Sequence, residues 1–137
     1  MKRPKEQAER WLKQSEHDLL VAHTHLQNDC FSDCCFMCEQ ASQKAMKAFL
    51  FAQGERAIVE HSIASMVKRA GGYDATFQPY LERANVLDQY YIPTRYPDAL
   101  AEPAVPFESY TREQAADALK ITREIVELVK QKVSGSS

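Results

Sequence analysis

Apolar residues recur along this chain at spacings of three and four. Ala8, Trp11, Leu12, Ser15, Leu19, Ala22 and Leu26 fall on one stripe, with Lys13, Glu16 and His23 opposite it, which predicts an amphipathic helix from about Pro4 to Gln27. After an Asn28-Asp29 turn, Phe31, Cys35, Cys38, Ser42, Ala45, Phe49 and Ala52 mark a second helix that stops at Gly54, a residue suited to a helix C-terminus. So short a connection makes the pair an antiparallel hairpin. A third, shorter helix is predicted from about Ser62 to Ala70, with Ile63, Met66, Val67 and Ala70 inward and Gly71-Gly72 ending it. Thr76 can cap a fourth, with Pro79 in its first turn and a seam of Tyr80, Ala84, Leu87 and Tyr91. That helix ends near Tyr91, because Pro93 restricts Ile92. Four prolines between Pro93 and Phe107 predict a long, stiffened loop. Thr111 and Gln114 then form a capping box for a last helix with Ala115, Ala118, Leu119, Thr122, Ile125, Val129 and Val133 inward.

Sustained two-residue alternation and Asn-Gly or Asp-Gly hairpin turns are both missing, so the expected class is all-α. The expected architecture is an antiparallel up-and-down bundle of four main helices plus one short helix. With 137 residues there is room for one domain, placed at residues 1–133, with 134–137 a flexible tail. A hydrophobic share of 45% with 26% charged residues is ordinary for a folding chain. The net charge of -2 supplies no global pull toward nucleic acid, so no nucleic-acid partner is expected and any phosphate must be held locally. Neither a membrane-length apolar run nor an apolar signal core is present, and a cytoplasmic location is expected. All four cysteines (Cys30, Cys34, Cys35, Cys38) lie within nine residues of one predicted helix. That is no disulfide framework, and one helix cannot turn four sulfurs toward one metal. Reduced, metal-free thiols are expected.

Phosphate-cradling glycine loops, His-Glu-x-x-His and Gly-x-Ser-x-Gly are all missing. What remains unusual is Tyr90-Tyr91-Ile92-Pro93-Thr94-Arg95-Tyr96-Pro97-Asp98. An arginine fork binds phosphate oxygens and tyrosine rings stack on bases. Equally, Arg95 can pair with Asp98 or cap a helix end while the tyrosines fill the bundle mouth. Lys44 and Lys47, with Gln40 a turn before Lys44, share a helix face that is either solvated surface or part of a phosphate groove. His61 suits a polar cap, phosphate contact or proton transfer.

Three blocks in order, CFMCEQASQKAMKAFLFAQG, EHSIASMVKRAGG and YIPTRYPDA, resemble the HEPN domains (Higher Eukaryotes and Prokaryotes Nucleotide-binding), and the likeness extends over most of residues 5–133. Within the family the chain looks most like the C-terminal HEPN domain of sacsin, a chaperone-related protein. The resemblance implies a homodimer that holds a purine nucleotide (ATP or GTP) as ligand near its interface, with a possible tie to chaperone machinery. Carried onto this sequence, the nucleotide-binding candidates are Gln40, Lys44, Lys47, His61, Tyr91, Arg95 and Tyr96, with no catalytic residue and no required cofactor. Many HEPN ribonucleases use an Arg-x4-6-His pattern late in the bundle. After Arg95 those positions hold Leu100, Ala101 and Glu102, while Arg56/His61 and Arg10/His17 match the spacing but lie early. The expectation is therefore a binder without nuclease activity. A pure interaction module with a vestigial pocket and a ribonuclease are the alternatives.

Overall fold

The computed structural model describes residues 3–134. Five α-helices follow in order, α1 Pro4–Gln27, α2 Phe31–Ala52, α3 Ile63–Tyr73, α4 Leu81–Asp88 and α5 Arg112–Ser134, and no strand occurs among the described residues. The bounds of α1 and α2 are those their stripes predict. Between them Asp29 adopts φ 60°, a left-handed conformation that aspartate tolerates better than most residues. Contacts across this hairpin pair early residues with late ones: Ser15 donates to the Ala41 carbonyl at 2.6 Å, and the Trp11 and Phe51 rings lie 5.7 Å apart. Contacts of α5 with α2 run in register instead, Cys34 with Ala115 and Ser42 with Thr122. Thus α5 lies parallel to α2 and antiparallel to α1, and the segment 53–111 carries the chain back between them.

Helix α2 packs against every other α-helix and buries fifteen of its 22 residues, so it forms the centre of the bundle. One cluster of buried side chains extends from Ala8 to Val133. The inward stripes predicted for α3 and α5 are all buried, and the Thr111/Gln114 capping box closes through Thr111 N–H to Gln114 Oε1 at 2.9 Å and Gln114 N–H to Thr111 Oγ1 at 3.1 Å. Cys34, Cys35 and Cys38 are fully buried and Cys30 half-buried, all as free thiols. Burial pushes the Cys35 thiol up to about 12, with help from Cys34.

The middle of the chain departs from expectation. Helix α3 continues through Gly71-Gly72 to Tyr73, where a side chain on Gly71 would meet Gln78 Cγ at 3.1 Å. Here glycine permits the close approach of the next segment instead of ending the helix. Asp74, not Thr76, is the cap, accepting from the Thr76 N–H at 3.0 Å and from its hydroxyl at 2.6 Å. Ala75–Tyr80 then winds as a 3₁₀ helix around Pro79 before α4 begins. Helix α4 stops three residues short of Tyr91, because Gln89 and Tyr90 tighten onto the carbonyls of Val86 and Leu87. The proline-rich loop is folded by two short 3₁₀ turns, Pro97–Ala99 and Pro106–Glu108. Ser134, expected in the tail, is the last residue of α5, and residues 135–137 lie outside the described residues. No helix among the described residues is long and apolar enough to cross a membrane.

Candidate functional site

The loop after α4 is anchored by Thr94, which is buried and donates to the Tyr90 carbonyl at 2.6 Å. That anchor sets the neighbouring Arg95 outward over α2. Its guanidinium carbon lies 4.2 Å from the ring centre of Phe36, 4.9 Å from Tyr96 and 5.1 Å from Tyr91, an aromatic nest that favours a cation. Nε and Nη2 both donate to the Tyr91 carbonyl, at 3.0 and 2.7 Å. Neither structural alternative is observed: Arg95 bonds a carbonyl of its own loop, three residues beyond the end of α4, rather than Asp98 or a helix end, and Nη1 has no hydrogen-bond partner among the described residues. His61 also stacks on the Tyr91 ring, at 5.2 Å and 19°, its Nδ1 lying 3.4 Å from Gln43 Oε1.

Beneath this cluster Glu39 is fully buried on α2. Gln40 and Gln43 each donate to one carboxylate oxygen at 2.8 Å. Burial pushes the carboxyl above its usual 4.5; the two amides and Arg95 pull it back, while Asp88 adds to the rise. Sequence reasoning missed Glu39, although an acidic residue between the inward positions Cys38 and Ser42 was the available signal. A raised folded value means that the native state holds this proton more tightly than the unfolded chain does. The Glu39 contribution to stability is therefore most favourable near and below pH 4.5 and falls as pH rises through the folded value. Glu39→Gln is expected to remove that fall; the difference in urea-unfolding stability between the two proteins, measured from about pH 4 to neutrality, checks it. A difference independent of pH would contradict the buried-carboxyl account.

Both lysines turn toward α1, each to its own partner. The Lys44 ammonium pairs at 2.5 Å with Asp18, which also accepts from Gln14. Lys47 is buried over the Trp11 ring at 5.3 Å. Desolvation pulls its ammonium down, opposed by the charges of Glu39 and Glu60. The structure thus brings Gln40, His61, Tyr91, Arg95 and Tyr96 around Glu39, while Lys44 and Lys47 both turn to partners on α1, Lys47 staying within range of the Glu39 charge. Helix α2 is the shared floor.

Three further carboxylates hold the segment bearing His61, and none of their pairings follows from a local pattern. Asp88 caps α3 by accepting from the N–H groups of Ile63 at 2.6 Å and Ala64 at 3.1 Å. Glu55 accepts from Arg69 Nε at 3.0 Å, and Glu60 pairs with the same guanidinium, whose hydrogen bonds draw the Glu60 carboxyl down. On the α1 side, Arg10, Trp11, Lys13, His17 and Lys44 line a groove of about 710 Å³. Arg10 and His17 are seven positions apart, so they share a helix face. Arg56 lines a different groove, about 640 Å³, with Phe51 and Glu55. The Arg95 loop itself carries exposed apolar surface, with Ile92 43% and Tyr96 51% accessible.

The molecule is a small all-α bundle whose polar side chains converge on its central helix. The sequence profile of the HEPN domain family matches residues 8–132, and the chain belongs to that family. It is 35% identical to TT1696 from Thermus thermophilus, whose crystal structure superposes with a TM-score of 0.85 over 92% of this chain and 98% of that one. ST0689, described as an archaeal HEPN homologue, is 32% identical with a TM-score of 0.76 over 97% and 99%. A Methanocaldococcus jannaschii protein named "Putative toxin MJ1304" is 27% identical over 90% of this chain and 86% of its own length.

Proposed function

We propose that this HEPN chain binds a purine nucleotide on the α2 strip beneath the Arg95 loop and acts by binding, without cleaving RNA. The observation that carries the reading is the convergence of Arg95, Tyr91, Tyr96 and His61 over Glu39 and its partners Gln40 and Gln43 on α2, with the Lys47 ammonium in range of the Glu39 charge. Aromatic and imidazole faces suit a base, and the guanidinium and ammonium suit phosphate. Glu39 beneath them is buried, and both its carboxylate oxygens are taken by the amides of Gln40 and Gln43. The same reading includes a homodimer in which Ile92 and Tyr96 are covered beside the site. Titration calorimetry with ATP and GTP is expected to show saturable binding that is weakened in Arg95→Ala, and sedimentation is expected to show a dimer. No heat at millimolar nucleotide would remove the nucleotide half and leave an interaction module. The tie to chaperone machinery rests on the sacsin-like blocks and is the part to test by affinity capture.

A second reading, a ribonuclease, is favoured by the relative named a toxin and by Arg10 and His17 sharing one groove. Incubation with single-stranded RNA separates the two. Cleavage by the wild type that disappears in His17→Ala or His61→Ala would select the ribonuclease.

A further inference from the structure

We propose that the turn between α1 and α2 is a divalent transition-metal site, with zinc the ion its donors suit, held by His25, Cys30 and Asp33. An imidazole nitrogen, the thiol sulfur and a carboxylate oxygen from these three residues all lie within 4.8 Å of one another. They come from separate parts of the backbone: His25 from the last turn of α1, Cys30 from the N-cap of α2 and Asp33 from its first turn. The left-handed Asp29 makes this convergence possible by reversing the chain, and the Cys30 N–H bonds the His25 carbonyl at 2.9 Å, which fixes the two ligands side by side.

Zinc bonds of about 2.0 to 2.3 Å set tetrahedral ligand atoms roughly 3.3 to 3.7 Å apart, so side-chain movements of about 1 Å close the site. None of the three donors is otherwise engaged by a side chain among the described residues. The Cys30 thiol makes only a weak contact to the Asn28 carbonyl at 3.6 Å. The nearby Asp29 carboxylate is taken by Arg112, whose charge it offsets. Cys30 is also the one cysteine of the four that is not fully buried. The N-terminus of α2 favours the thiolate and carboxylate that a metal requires. Three mixed nitrogen, sulfur and oxygen donors suit zinc and leave a fourth position for water or a further ligand. Considering the cysteines only as a set of four hid this site, because its partners are a histidine and an aspartate.

Cobalt(II) reports on such a centre, since a bound thiolate adds a near-ultraviolet charge-transfer band. Titrating the metal-free protein is expected to give that band at one equivalent of cobalt, and zinc is expected to displace it. Cys30→Ser should abolish the band, whereas the exposed Asp33→Asn and the half-buried His25→Ala should each weaken zinc binding more than about tenfold. Zinc should also raise the melting temperature of the wild type and not of these variants. Absence of a stoichiometric band, its persistence in Cys30→Ser, or unchanged zinc affinity in both Asp33→Asn and His25→Ala would overturn the proposal. Asp33→Asn keeps the test decisive should Cys30→Ser fail to fold. Nucleotide binding plays no part in these readouts.

Discussion

Arg95→Ala is expected to weaken nucleotide binding about ten- to hundredfold while the protein stays folded. A charge-assisted contact to phosphate contributes roughly 1.5 to 3 kcal/mol, which corresponds to that range in dissociation constant. The cost to stability should be far smaller. The side chain is exposed and bonds only its own loop carbonyl, while an exposed cation over an aromatic ring contributes about 0.5 to 1 kcal/mol. The loop keeps its buried Thr94 anchor in the variant. Arg95→Lys retains the charge without the fork and should recover only part of the affinity. Lys47→Ala is a less clean comparison than its sequence position suggests, because Lys47 is buried against Trp11 and its removal also costs packing. Calorimetry paired with thermal melts measures both quantities. Normal binding by Arg95→Ala, or its unfolding, would make Arg95 a structural brace of its loop and nothing more.

The largest effect on stability is expected for Phe49→Ala, a loss of about 3 to 5 kcal/mol. Phe49 is 2% exposed, with its ring centre 4.4 Å from Phe77 and 6.4 Å from Tyr73. It therefore joins α2 to α3 and to the 3₁₀ turn that follows. Against a native stability of roughly 5 to 15 kcal/mol, such a loss leaves the fold marginal and releases the α3 side of the molecule that carries His61. Phe107→Ala is the matched control, since Phe107 is 73% exposed and should change stability by only about 0.5 kcal/mol. Urea unfolding of both variants checks the contrast. Equal stability losses would mean that the Phe49 ring is not the wedge between these elements.

The aromatic residues illustrate how far sequence alone reaches. Trp11, Phe31, Phe36, Phe51, Phe77 and Tyr110 exceed what a minimal bundle core requires, which suggests an apolar surface patch. Phe51 and Phe77 are instead buried and the other four are partly covered, because distant elements use them: Phe77 meets Phe49, Phe51 meets Trp11, Tyr110 meets Tyr90, and Phe36 and Phe31 lie under Arg95 and Arg112. Exposed Ile92, Tyr96 and Phe107 lie on the proline-rich loop, where no periodicity marks a face.

Periodicity determined the all-helical class, the limits of α1 and α2, and the buried faces of α3 and α5, since burial on one side of a helix must repeat every three or four residues. The Thr111/Gln114 cap was legible for the same reason: both partners lie within one turn. Tertiary structure decided the rest. Glycines 71 and 72 read locally as a stop, yet both lie within α3, where Gly71 admits the close approach of Gln78. Lys44 and Lys47 share a helix face by spacing, but Asp18 and Trp11 on α1 draw them to different partners. Asp88 joins Ile63, and His61 joins Tyr91, across distances in sequence that no local pattern encodes. A side chain's helix face follows from its own sequence, whereas the neighbour that fills that face, and hence the chemistry of the site, depends on how distant elements pack.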